Sequence, residues 1–493
     1  MYLSKTDYLE YLQCPKNLWL KKKKPELYIS IPPSDFDLKN FREGQEVEAL
    51  ARNLFSDGYL LNGDPKRLAE QTNELITLKK SPIFQATFIT DRGLIAKIDI
   101  LDSNKRSGCW DIYEVKSSND IKTDREHNHI KDVTFQALVM RGADIPVGEV
   151  YIVHLNKDYI KNGDVDLEEL FVKENVSEKI INHYDITKLE TDEALELLEY
   201  NDIDLSSCPC IYMTRGNHCS SFSVFNPNVP DYSVHDVSRI RSNKIQSLID
   251  SGVVAITDIP DSFQLTDKQR LQVNLETSQK PLIDRESVYQ ALSQLEYPLY
   301  FLDYETFMVA IPILDGYRPH QHMPFQVSIH KIDIDGKLLH FEYLADNIEY
   351  ATIRLIEFLK EIILPEGTVI SWHASFENAI NKGLAELHPE HSDFLLDLNN
   401  RTFDLEQLFK NDYLHPEFKG RTSIKNVLPV LLPRFSYEDL VIQDGTAAME
   451  GWRKMIFDDI PDSEKEIIKK ALLEYCKMDT LAMVEIYNHL KSI

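Results

Sequence analysis

Several stretches of the chain repeat apolar residues at intervals of three and four, the spacing that places side chains on one face of a helix. In residues 41–55, for example, Val47, Leu50 and Leu54 follow this spacing, which predicts an amphipathic helix. The same pattern predicts further helices over 128–141, 189–200, 350–362 and 466–490. Helices are therefore predicted in both halves of the chain.

Other stretches carry short apolar runs bounded by turn-forming residues, a pattern typical of strands. The predicted strands lie at 93–102, 109–118, 149–155, 299–307, 324–333 and 368–374. The first two are separated by the turn sequence SNKRSG, so they are predicted to be adjacent. Strands alternate with helices along the chain, and this order predicts a mixed α/β fold.

Interruptions of these patterns divide the chain into three predicted segments. The sequence FNPNVPDY contains two prolines and two asparagines, which break any periodic pattern. We therefore predict an N-terminal α/β domain at 1–225 and a C-terminal α/β domain at 296–493, joined by a helical connector at 226–295. Within the connector, residues 236–292 are predicted to be helical, with a turn at Gly252. This shape is similar to a helix-hairpin-helix, but a plain helical connector is the preferred interpretation.

The charge balance narrows the classes of function. The 493 residues include 54 Lys and Arg against 80 Asp and Glu, which gives a formal net charge of −26. This excess of acid argues against a protein that coats DNA non-specifically or lies on a membrane surface, since both need a broadly positive face. No apolar run approaches the roughly 20 residues of a membrane span, and the first residues lack the layout of a signal peptide. We therefore predict a cytoplasmic protein without a membrane partner, and a nucleic-acid enzyme with a local basic groove is compatible with these data.

Carboxylates and a lysine occur at strand spacing in the first domain. Asp99 interrupts the apolar strand IDILD, while Glu114 and Lys116 lie two residues apart in YEVK, on the same face of a strand. Two carboxylates on adjacent strands are able to hold a divalent cation, and a lysine beside them is able to orient or deprotonate an attacking water. This combination suits hydrolysis of a phosphodiester. The alternative is a surface hairpin with an ordinary Glu–Lys pair.

These residues resemble the active-site motif of the RecB-like branch of the PD-(D/E)XK nucleases, a branch that includes CRISPR-associated exonucleases. The similarity extends over the first domain and includes the opening LSKTDYLEYLQCPKNLWL, the segment GQEVE and the D…EVK pattern. The resemblance implies a restriction-endonuclease-like fold and a divalent cation, Mg²⁺ or Mn²⁺. It also implies that Asp99, Glu114 and Glu48 bind the metal. Lys116 and Gln136 would then act in catalysis.

Six cysteines are too few for a disulfide framework in a chain of this length, so their clustering indicates a metal site instead. Cys208, Cys210 and Cys219 lie within twelve residues, and Cys14 lies near the N-terminus. Several members of the RecB-like branch hold an iron–sulfur cluster with one Cys near the N-terminus and three after the nuclease core, so the resemblance implies a 4Fe–4S cluster on these four thiolates. His218 beside Cys219 keeps zinc as an alternative, and scattered buried thiols are another.

A second set of carboxylates lies in the C-terminal domain. Asp303 and Glu305 are two residues apart in FLDYET and project to one side of a strand, where their repulsion favours a bound cation. Tyr475 and Asp479 lie one turn apart on an apolar stripe of the last predicted helix, where a solvated aspartate is not expected. Glu377, at the end of the predicted strand segment WHASFE, is a candidate fourth carboxylate. Four carboxylates around two cations suit the two-metal mechanism of phosphodiester hydrolysis.

The order D-x-E followed by Y-x-x-x-D resembles the DEDD superfamily of 3′–5′ exonucleases, which have a ribonuclease-H-like fold. The resemblance implies that Asp303, Glu305, Glu377 and Asp479 bind two cations and that Tyr475 orients the attacking water. Together with the stretch HPEFKGRTSIKNVLPVLLPRFSYEDL, it makes most of the chain similar to an uncharacterised bacterial family. In that family a DEDD-like domain is fused behind a RecB-like nuclease.

The preferred hypothesis is therefore a metal-dependent enzyme with two nuclease modules that processes DNA single strands or ends, in repair or in defence against foreign DNA. One alternative is a nucleic-acid-binding or assembly protein with one or both sites degenerate. Two departures favour it: Glu377 stands where the DEDD superfamily has Asp, and Met140 stands four residues after Gln136, where RecB-like relatives often have Tyr. The other alternative directs the exonuclease chemistry to RNA. Lys419, Arg421 and Lys425 provide a candidate basic edge for a strand backbone, with a solvated loop as an equal alternative.

Overall fold

The computed structural model describes residues 2–55, 57–125, 127–437 and 439–493, which form two compact units. The N-terminal unit comprises Met1–Val229 with Val309–His320, and the C-terminal unit comprises Pro230–Met308 with Gln321–Ile493. Each unit combines helices with a mixed sheet, which confirms the predicted mixed α/β fold class. Most of the predicted connector, from residue 230 onwards, belongs to the C-terminal unit. None of the helices within the described ranges is long and apolar enough to cross a lipid bilayer.

In the described part of the N-terminal unit, seven strands form one sheet with helices packed against it. The strands are β1 (Leu3–Ser4), β2 (Tyr59–Leu60), β3 (Ile83–Ile89), β4 (Leu94–Ser103), β5 (Trp110–Val115), β6 (Val147–Leu155) and β7 (Phe171–Asn175). The helices are α1 (Lys5–Gln13), α2 (Pro15–Lys23), α3 (Asp35–Ala51), α4 (Pro65–Thr77), α5 (His129–Gly142), α6 (Leu167–Leu170), α7 (Ser177–Leu197) and α8 (Phe222–Phe225). The strand order is β2-β3-β4-β5-β6-β7, and β1 pairs with β4.

The central strands of this sheet alternate buried apolar residues with polar ones. On β4, Ile98 and Ile100 are fully buried, and Asp99 between them points to the opposite face. Antiparallel pairing places Ile100 opposite Tyr113 on β5, so Asp99 lies beside Glu114 one position further along. The register of β4 with β5 therefore brings these two carboxylates together.

In the described part of the C-terminal unit, five strands form the main sheet and two form a small one. The strands are β8 (Leu282–Ile283), β9 (Leu299–Phe307), β10 (Met323–Ile332), β11 (Leu338–Leu344), β12 (Thr368–Ser371), β13 (Thr402–Asp404) and β14 (Tyr413–Leu414). The helices are α9 (Ser242–Asp250), α10 (Asp267–Ser278), α11 (Arg285–Ser293), α12 (Ala351–Ile362), α13 (Ser375–Leu387), α14 (Ser392–Asn400), α15 (Glu406–Asn411), α16 (Ile424–Leu431), α17 (Gly445–Phe457) and α18 (Asp462–Lys491). The main sheet has the order β11-β10-β9-β12-β13, and β14 pairs with β8.

β9, the central strand of the main sheet, has two faces of different character. Tyr300 and Leu302 point to one face, where they pack with α12, α13 and α14 in the main hydrophobic core. Asp303 and Glu305 alternate with these core residues and point to the other face, towards α18. The Sγ atom of Cys476 on α18 lies 3.8 Å from Oδ2 of Asp303. The long C-terminal helix therefore covers the acidic face of β9.

A buried polar network holds α18 against the sheet. The hydroxyl of Thr480 lies 2.8 Å from both the Ser328 hydroxyl and Nδ1 of His330 on β10. His330 is only 3% exposed, and its ring centre lies 4.4 Å from that of His340. Burial, together with His340, lowers the pKa of His330 to about 3, so this ring is neutral at pH 7. Because Thr480 directly follows Asp479, the network also fixes the position of that carboxylate.

The segment between the two predicted α/β domains has a small core of its own. Its buried apolar side chains are Val234, Val237, Ile240, Ile245, Leu248, Ile256, Ile259 and Val273. The sequence predicts helix over 236–292 with a turn at Gly252; the structure has three separate helices, α9 to α11, with the first break at this turn and a second that contains β8. Gly252 ends the first of them with a φ of 79°, a left-handed conformation that favours glycine. Pro260 and Pro281 interrupt the remaining stretch, because proline cannot continue a helix.

Acidification is expected to weaken the network around α18. The unfolded chain protonates His330 near pH 6.5, whereas the folded chain keeps the ring neutral down to about pH 3, so stability falls as the pH drops through this window. The loss from this residue is about 2 kcal/mol by pH 5. The thermal midpoint of His330→Gln should therefore decrease less between pH 7 and pH 5 than that of wild type. His127→Gln, at an exposed position, is the control; equal decreases in all three proteins would contradict the account.

Candidate functional site

Three elements of the C-terminal unit bring four carboxylates to one region. β9 supplies Asp303 and Glu305, α18 supplies Asp479, and α13 supplies Glu377. Glu305, Glu377 and Asp479 are buried. One carboxylate oxygen each from Asp303 and Glu305 and the Sγ atom of Cys476 all lie within 4.8 Å of one another. The charges of Asp479 and Glu377 also act on Asp303 and Glu305, so the four carboxylates that the sequence singles out in this unit lie in one region.

Burial and mutual repulsion disfavour the charged forms of these groups. Burial, followed by the charges of Asp479, Glu305 and Glu377, raises the pKa of Asp303 well above its usual range. Burial and the charge of Asp479 act in the same direction on the pKa of Glu305. Burial also raises the pKa of Glu377 to about 8. It raises the pKa of Asp479 to about 6, although a hydrogen bond from Tyr437 opposes it. The surrounding protein therefore leaves the negative charge of the cluster poorly compensated.

The donor set of this cluster fits divalent cations. The Oε2 atom of Glu377 is buried and has no hydrogen-bond partner among the described residues, so an acceptor is left available. Carboxylate oxygens are the ligands that Mg²⁺ and Mn²⁺ prefer. A cation here would also offset the repulsion between Asp303 and Glu305. We call Asp303, Glu305, Glu377 and Asp479 the carboxylate cluster.

Two side chains that the sequence patterns do not reveal as site residues lie beside the carboxylate cluster. Tyr437 donates its hydroxyl to Oδ1 of Asp479 at 2.7 Å. Lys425 donates to the Tyr475 hydroxyl at 3.1 Å, and its Nζ lies 5.1 and 5.3 Å from the ring centres of Tyr475 and Tyr437. The sequence indicates Lys425 only as part of a basic edge. Tyr437 lies in the loop before α17, where no periodic pattern marks it.

The chain turns sharply between β12 and α13. His373 in this turn has a φ of 63°, and its Nδ1 lies 2.9 Å from Oε2 of Glu406. Glu406 also accepts hydrogen bonds from the Thr422 hydroxyl at 2.7 Å and from Lys410. The sequence predicts Glu377 at the end of a strand, but this early turn ends the strand and places Glu377 in the first turn of α13. The helix N-terminus thus presents this carboxylate to the cluster.

The predicted site residues of the N-terminal unit form a second cluster. β4 supplies Asp99, β5 supplies Glu114 with Lys116 directly after it, α5 supplies Gln136, and α3 supplies Glu48. Gln136 donates to Oε2 of Glu114 at 2.7 Å, and Lys116 donates to its Oε1 at 2.7 Å. The backbone N–H after Glu114 donates to Oδ2 of Asp99 at 2.9 Å. Hydrogen bonds therefore link both strands and α5 at this position.

A second lysine and a further aspartate join this cluster. Lys5, the first residue of α1, donates to Oε1 of Glu114 at 2.8 Å, and its Nζ lies 3.3 Å from Oδ1 of Asp132. Asp132 also accepts from Lys116 at 2.5 Å and from Gln136 at 2.9 Å. Lys5 and Glu114 are 109 residues apart, so no local pattern connects them. The four-residue spacing of Asp132 and Gln136 on α5 is the one sequence signal that relates the aspartate to the site.

Glu48 joins the cluster through a glutamine. Gln85 on β3 donates its Nε2 to Oε1 of Glu48 at 2.5 Å, and this Nε2 lies 3.4 Å from Oδ1 of Asp99. The backbone of Gln85 has a φ of 63°, which is uncommon for a residue with a side chain. This conformation interrupts the alternation of β3 and turns the amide towards the two carboxylates.

Unequal compensation distinguishes the carboxylates of the second cluster. Although burial favours the protonated form of Glu114, the ammonium groups of Lys116 and Lys5 hold its pKa well below the usual range. Burial and the charge of Glu114 raise the pKa of Asp99 well above its usual range, and burial raises that of Glu48. Besides the two lysines, Arg52 lies 4.0 Å from Oε1 of Glu48, so four carboxylates face three cationic side chains and acid remains in excess. This balance fits one divalent cation, with Asp99 and Glu114 as its oxygen donors.

The four cysteines singled out in the sequence lie together in the N-terminal unit. The Sγ atoms of Cys14, Cys208, Cys210 and Cys219 are all within 4.8 Å of one another, and those of Cys208 and Cys219 are 4.0 Å apart. Thiolates bound to one tetrahedral ion through bonds of about 2.3 Å lie about 3.8 Å apart. In a four-iron cluster each thiolate binds its own iron, so the sulfur atoms lie further apart. The spacing therefore fits a single ion such as Zn²⁺ more closely.

A comparison with protein families finds a match in the C-terminal unit. Residues 300–423 match the family described as Domain of unknown function (DUF2779). The matched segment includes Asp303 and Glu305 on β9 and Glu377 on α13, and it ends before Asp479 on α18. No curated protein matches the chain. The family match thus contains three of the four carboxylates without assigning them a function.

Proposed function

We propose that the chain is a metal-dependent nuclease with one phosphodiester-hydrolysing module in each unit. The observation that carries this proposal is the convergence of β9, α13 and α18 on the carboxylate cluster, where the charges of Asp479, Glu305 and Glu377 all act on Asp303. Buried carboxylates at this density repel one another unless cations lie between them, and two-cation hydrolysis of a phosphodiester uses such an arrangement. The order of the residues along the chain supports a DEDD-type 3′–5′ exonuclease with a ribonuclease-H-like fold.

In the C-terminal module, Asp303, Glu305, Glu377 and Asp479 would hold Mg²⁺ or Mn²⁺. Such cations activate a water and stabilise the leaving oxygen when they are bound. The chain itself orients the donor set, because Asp303 and Glu305 are fixed by the register of β9 and Asp479 by its hydrogen bond from Tyr437. Tyr437 is therefore a positioning residue for one ligand of the site.

Tyr475 is proposed to orient the attacking water. Its hydroxyl accepts a hydrogen bond from Lys425 and lies close enough to Asp479 to lower the pKa of that carboxylate. Burial and the charge of Asp479 raise the pKa of Tyr475, so the hydroxyl stays protonated at neutral pH. The side chain is thus suited to donate a hydrogen bond and unsuited to remove a proton.

The N-terminal module is proposed to be a PD-(D/E)XK nuclease of the RecB-like branch. Asp99 and Glu114 would hold its cation, with Glu48 as a further ligand. Lys116 is assigned to the attacking water because it follows Glu114 at the spacing of the motif. Lys5 donates to the same Glu114 oxygen, so it is assigned to compensate the carboxylate when Lys116 turns towards substrate.

DNA is the preferred substrate, taken as single strands or free ends, with repair or defence against foreign DNA in the cytoplasm as the proposed setting. The burial of the carboxylate cluster favours a strand end over an intact duplex, because a single backbone is narrow enough to reach buried side chains. RNA of the same form satisfies this condition equally well.

Asp303→Asn is expected to lower the rate of mononucleotide release from the 3′ end at least about a hundredfold, because it removes a metal ligand from the C-terminal module. The assay uses 5′-labelled single-stranded DNA and RNA with Mg²⁺ or Mn²⁺. Asp335→Asn, at an exposed turn, changes the same chemical group and should act as wild type. A wild-type protein that degrades neither strand with either cation would refute the proposed activity.

Lys116→Met should remove the cleavage activity of the N-terminal module. Trimming from the 3′ end by the C-terminal module should persist, because Lys116 belongs to the N-terminal module alone. Loss of the ammonium group is expected to reduce this cleavage about a hundredfold or more. Double-stranded and 5′-ended substrates, with Asp303→Asn as background, isolate the activity. Lys105→Met replaces an exposed lysine of the same unit and is the matched control. Equal cleavage by both variants would contradict the assignment of Lys116.

We further propose that the four-cysteine cluster binds Zn²⁺. The proximity of the four sulfur atoms supports one tetrahedral ion, and four cysteine thiolates form a common closed zinc site. Its role is structural, because it joins the start of α2 to the segment before α8. The 4Fe–4S cluster implied by the sequence resemblance is the competing occupant.

The anaerobically purified full chain should contain about one zinc per chain and show no visible absorption. Cys210→Ser is expected to lose the ion and to lower the thermal midpoint, since three thiolates hold zinc less tightly. Cys109→Ser, which changes a cysteine outside the cluster, should retain it. Metal content is measured by elemental analysis. Brown protein with about four irons per chain would replace the zinc assignment.

A further inference from the structure

A cavity of about 930 Å³ lies within the C-terminal unit. One wall comes from the segment with the small core, including Tyr232 and α10, and the other comes from α15 and the loop that follows β14. Neither wall contributes a residue of the carboxylate cluster, so the cavity is a separate feature of this unit. The hydrolysis proposed at the carboxylate cluster assigns no role to this cavity.

Cationic side chains dominate the ionised groups of this cavity. Those lining it are Arg239, Arg241, Lys244, Lys268 and Lys410, against the two acids Asp267 and Glu276. In a chain with 80 acidic and 54 basic residues, this local excess of positive charge runs against the overall balance. A concave surface of one charge attracts ligands of the opposite charge, so the cavity is suited to an anion.

Most of these cations are not neutralised by the protein. Arg239 and Arg241 are exposed, and neither forms an ion pair with any described residue. Lys244 donates to the backbone carbonyl of Gln264 at 2.7 Å, so its partner carries no charge. Lys268 lies 3.3 Å from Oδ1 of Asn411, which is also neutral. These four charges remain available to an anionic partner.

An aromatic ring adds a second kind of contact. Tyr232 lines the cavity, Lys419 lies 5.8 Å from its ring centre, and its hydroxyl accepts a hydrogen bond from Gln272 at 2.7 Å. The charge of Arg421 is close enough to act on the same tyrosine. An aromatic ring between cations is the combination with which proteins hold single-stranded nucleic acids, because bases stack while phosphates pair.

The chain itself connects the cavity with the carboxylate cluster. Phe418 and Thr422 line the cavity, and three residues later Lys425 donates to Tyr475. Thr422 also donates to Glu406, which holds His373 in the turn before α13. One short segment therefore extends from the cavity wall to the residue assigned to orient water.

From these observations we propose that the cavity binds the sugar–phosphate backbone of a single-stranded polynucleotide and guides its 3′ end to the carboxylate cluster. The guiding role rests on the proposed nuclease function, whereas the binding role stands on the cavity alone. DNA and RNA share the phosphodiester chemistry that the cations and Tyr232 recognise. Arg241 and Lys268 contact phosphates in this assignment, and Tyr232 contacts a base.

The test measures binding without cleavage. Fluorescence anisotropy with labelled oligothymidylate and, separately, oligouridylate is recorded in EDTA over a series of salt concentrations with the full chain. Arg241→Glu with Lys268→Glu should weaken binding about tenfold or more and lower the salt dependence by about 1.4 in log–log slope, because two phosphate contacts are lost. Both changes place an acid at a helix N-terminus, where the helix dipole favours it, so folding should be unaffected.

Lys337→Glu with Lys469→Glu makes the same change of charge at exposed positions outside the cavity and should bind as wild type. Arg239→Ala with Arg241→Ala is a second test that introduces no repulsion, and it should also reduce affinity. Equal binding by wild type and both cavity variants, or no binding of either oligonucleotide by wild type, would overturn the proposal. Tight binding together with an absence of cleavage in both Mg²⁺ and Mn²⁺ would instead refute the nuclease function and leave the binding site intact.

Discussion

Carboxylates held close together away from water are the constraint on which both candidate sites depend. Each such group loses hydration on folding and is repelled by its neighbours, so its position is stable only if the surrounding structure compensates the charge. Packing of the main core against one face of β9 positions Asp303 and Glu305, and the network around Thr480 positions Asp479. The main core and the network around Thr480 therefore hold these carboxylates close together despite their mutual repulsion.

The two units compensate their carboxylates by different means. In the N-terminal unit, Lys5 and Lys116 both donate hydrogen bonds to Glu114, so this carboxylate stays charged. The charged form of Asp99 is disfavoured. In the C-terminal unit, the charge of Lys425 acts on Glu305 and Asp479, but its ammonium group contacts the hydroxyl of Tyr475 rather than a carboxylate. That cluster is consequently less neutralised by the protein and more dependent on added cations. The two sites should therefore differ in their requirement for metal as well as in their residues.

Sequence periodicity predicted part of the fold: strands such as Ile83–Ile89 and Leu338–Leu344 were not predicted, and the helix predicted at 189–200 is Ser177–Leu197. The strand at 299–307 and the helix at 466–490 were predicted almost to their observed ends, because alternation and helical spacing persist along their whole length. Lys5 and Tyr437 were missed as site residues because each reaches its site from a distant position in the chain. Gln85 was missed because a left-handed residue breaks the alternation on which strand prediction depends. In the predicted helical segment 236–292, the break at Gly252 was predicted, whereas the breaks near Pro260 and Pro281 were not, because local periodicity does not weigh prolines.

The cysteine cluster links parts of the N-terminal unit that lie far apart along the chain. Cys14 is made early, but its three partners follow only at Cys208 to Cys219, so the cluster cannot assemble until nearly the whole unit has left the ribosome. Lys5 lies nine residues before Cys14, and the helix it begins packs beside the sheet that carries Glu114. Closing the sulfur cluster therefore removes freedom from the segment that delivers this lysine. Cys14 and the lysine that contacts Glu114 are in this way held by the same pair of adjoining helices, α1 and α2.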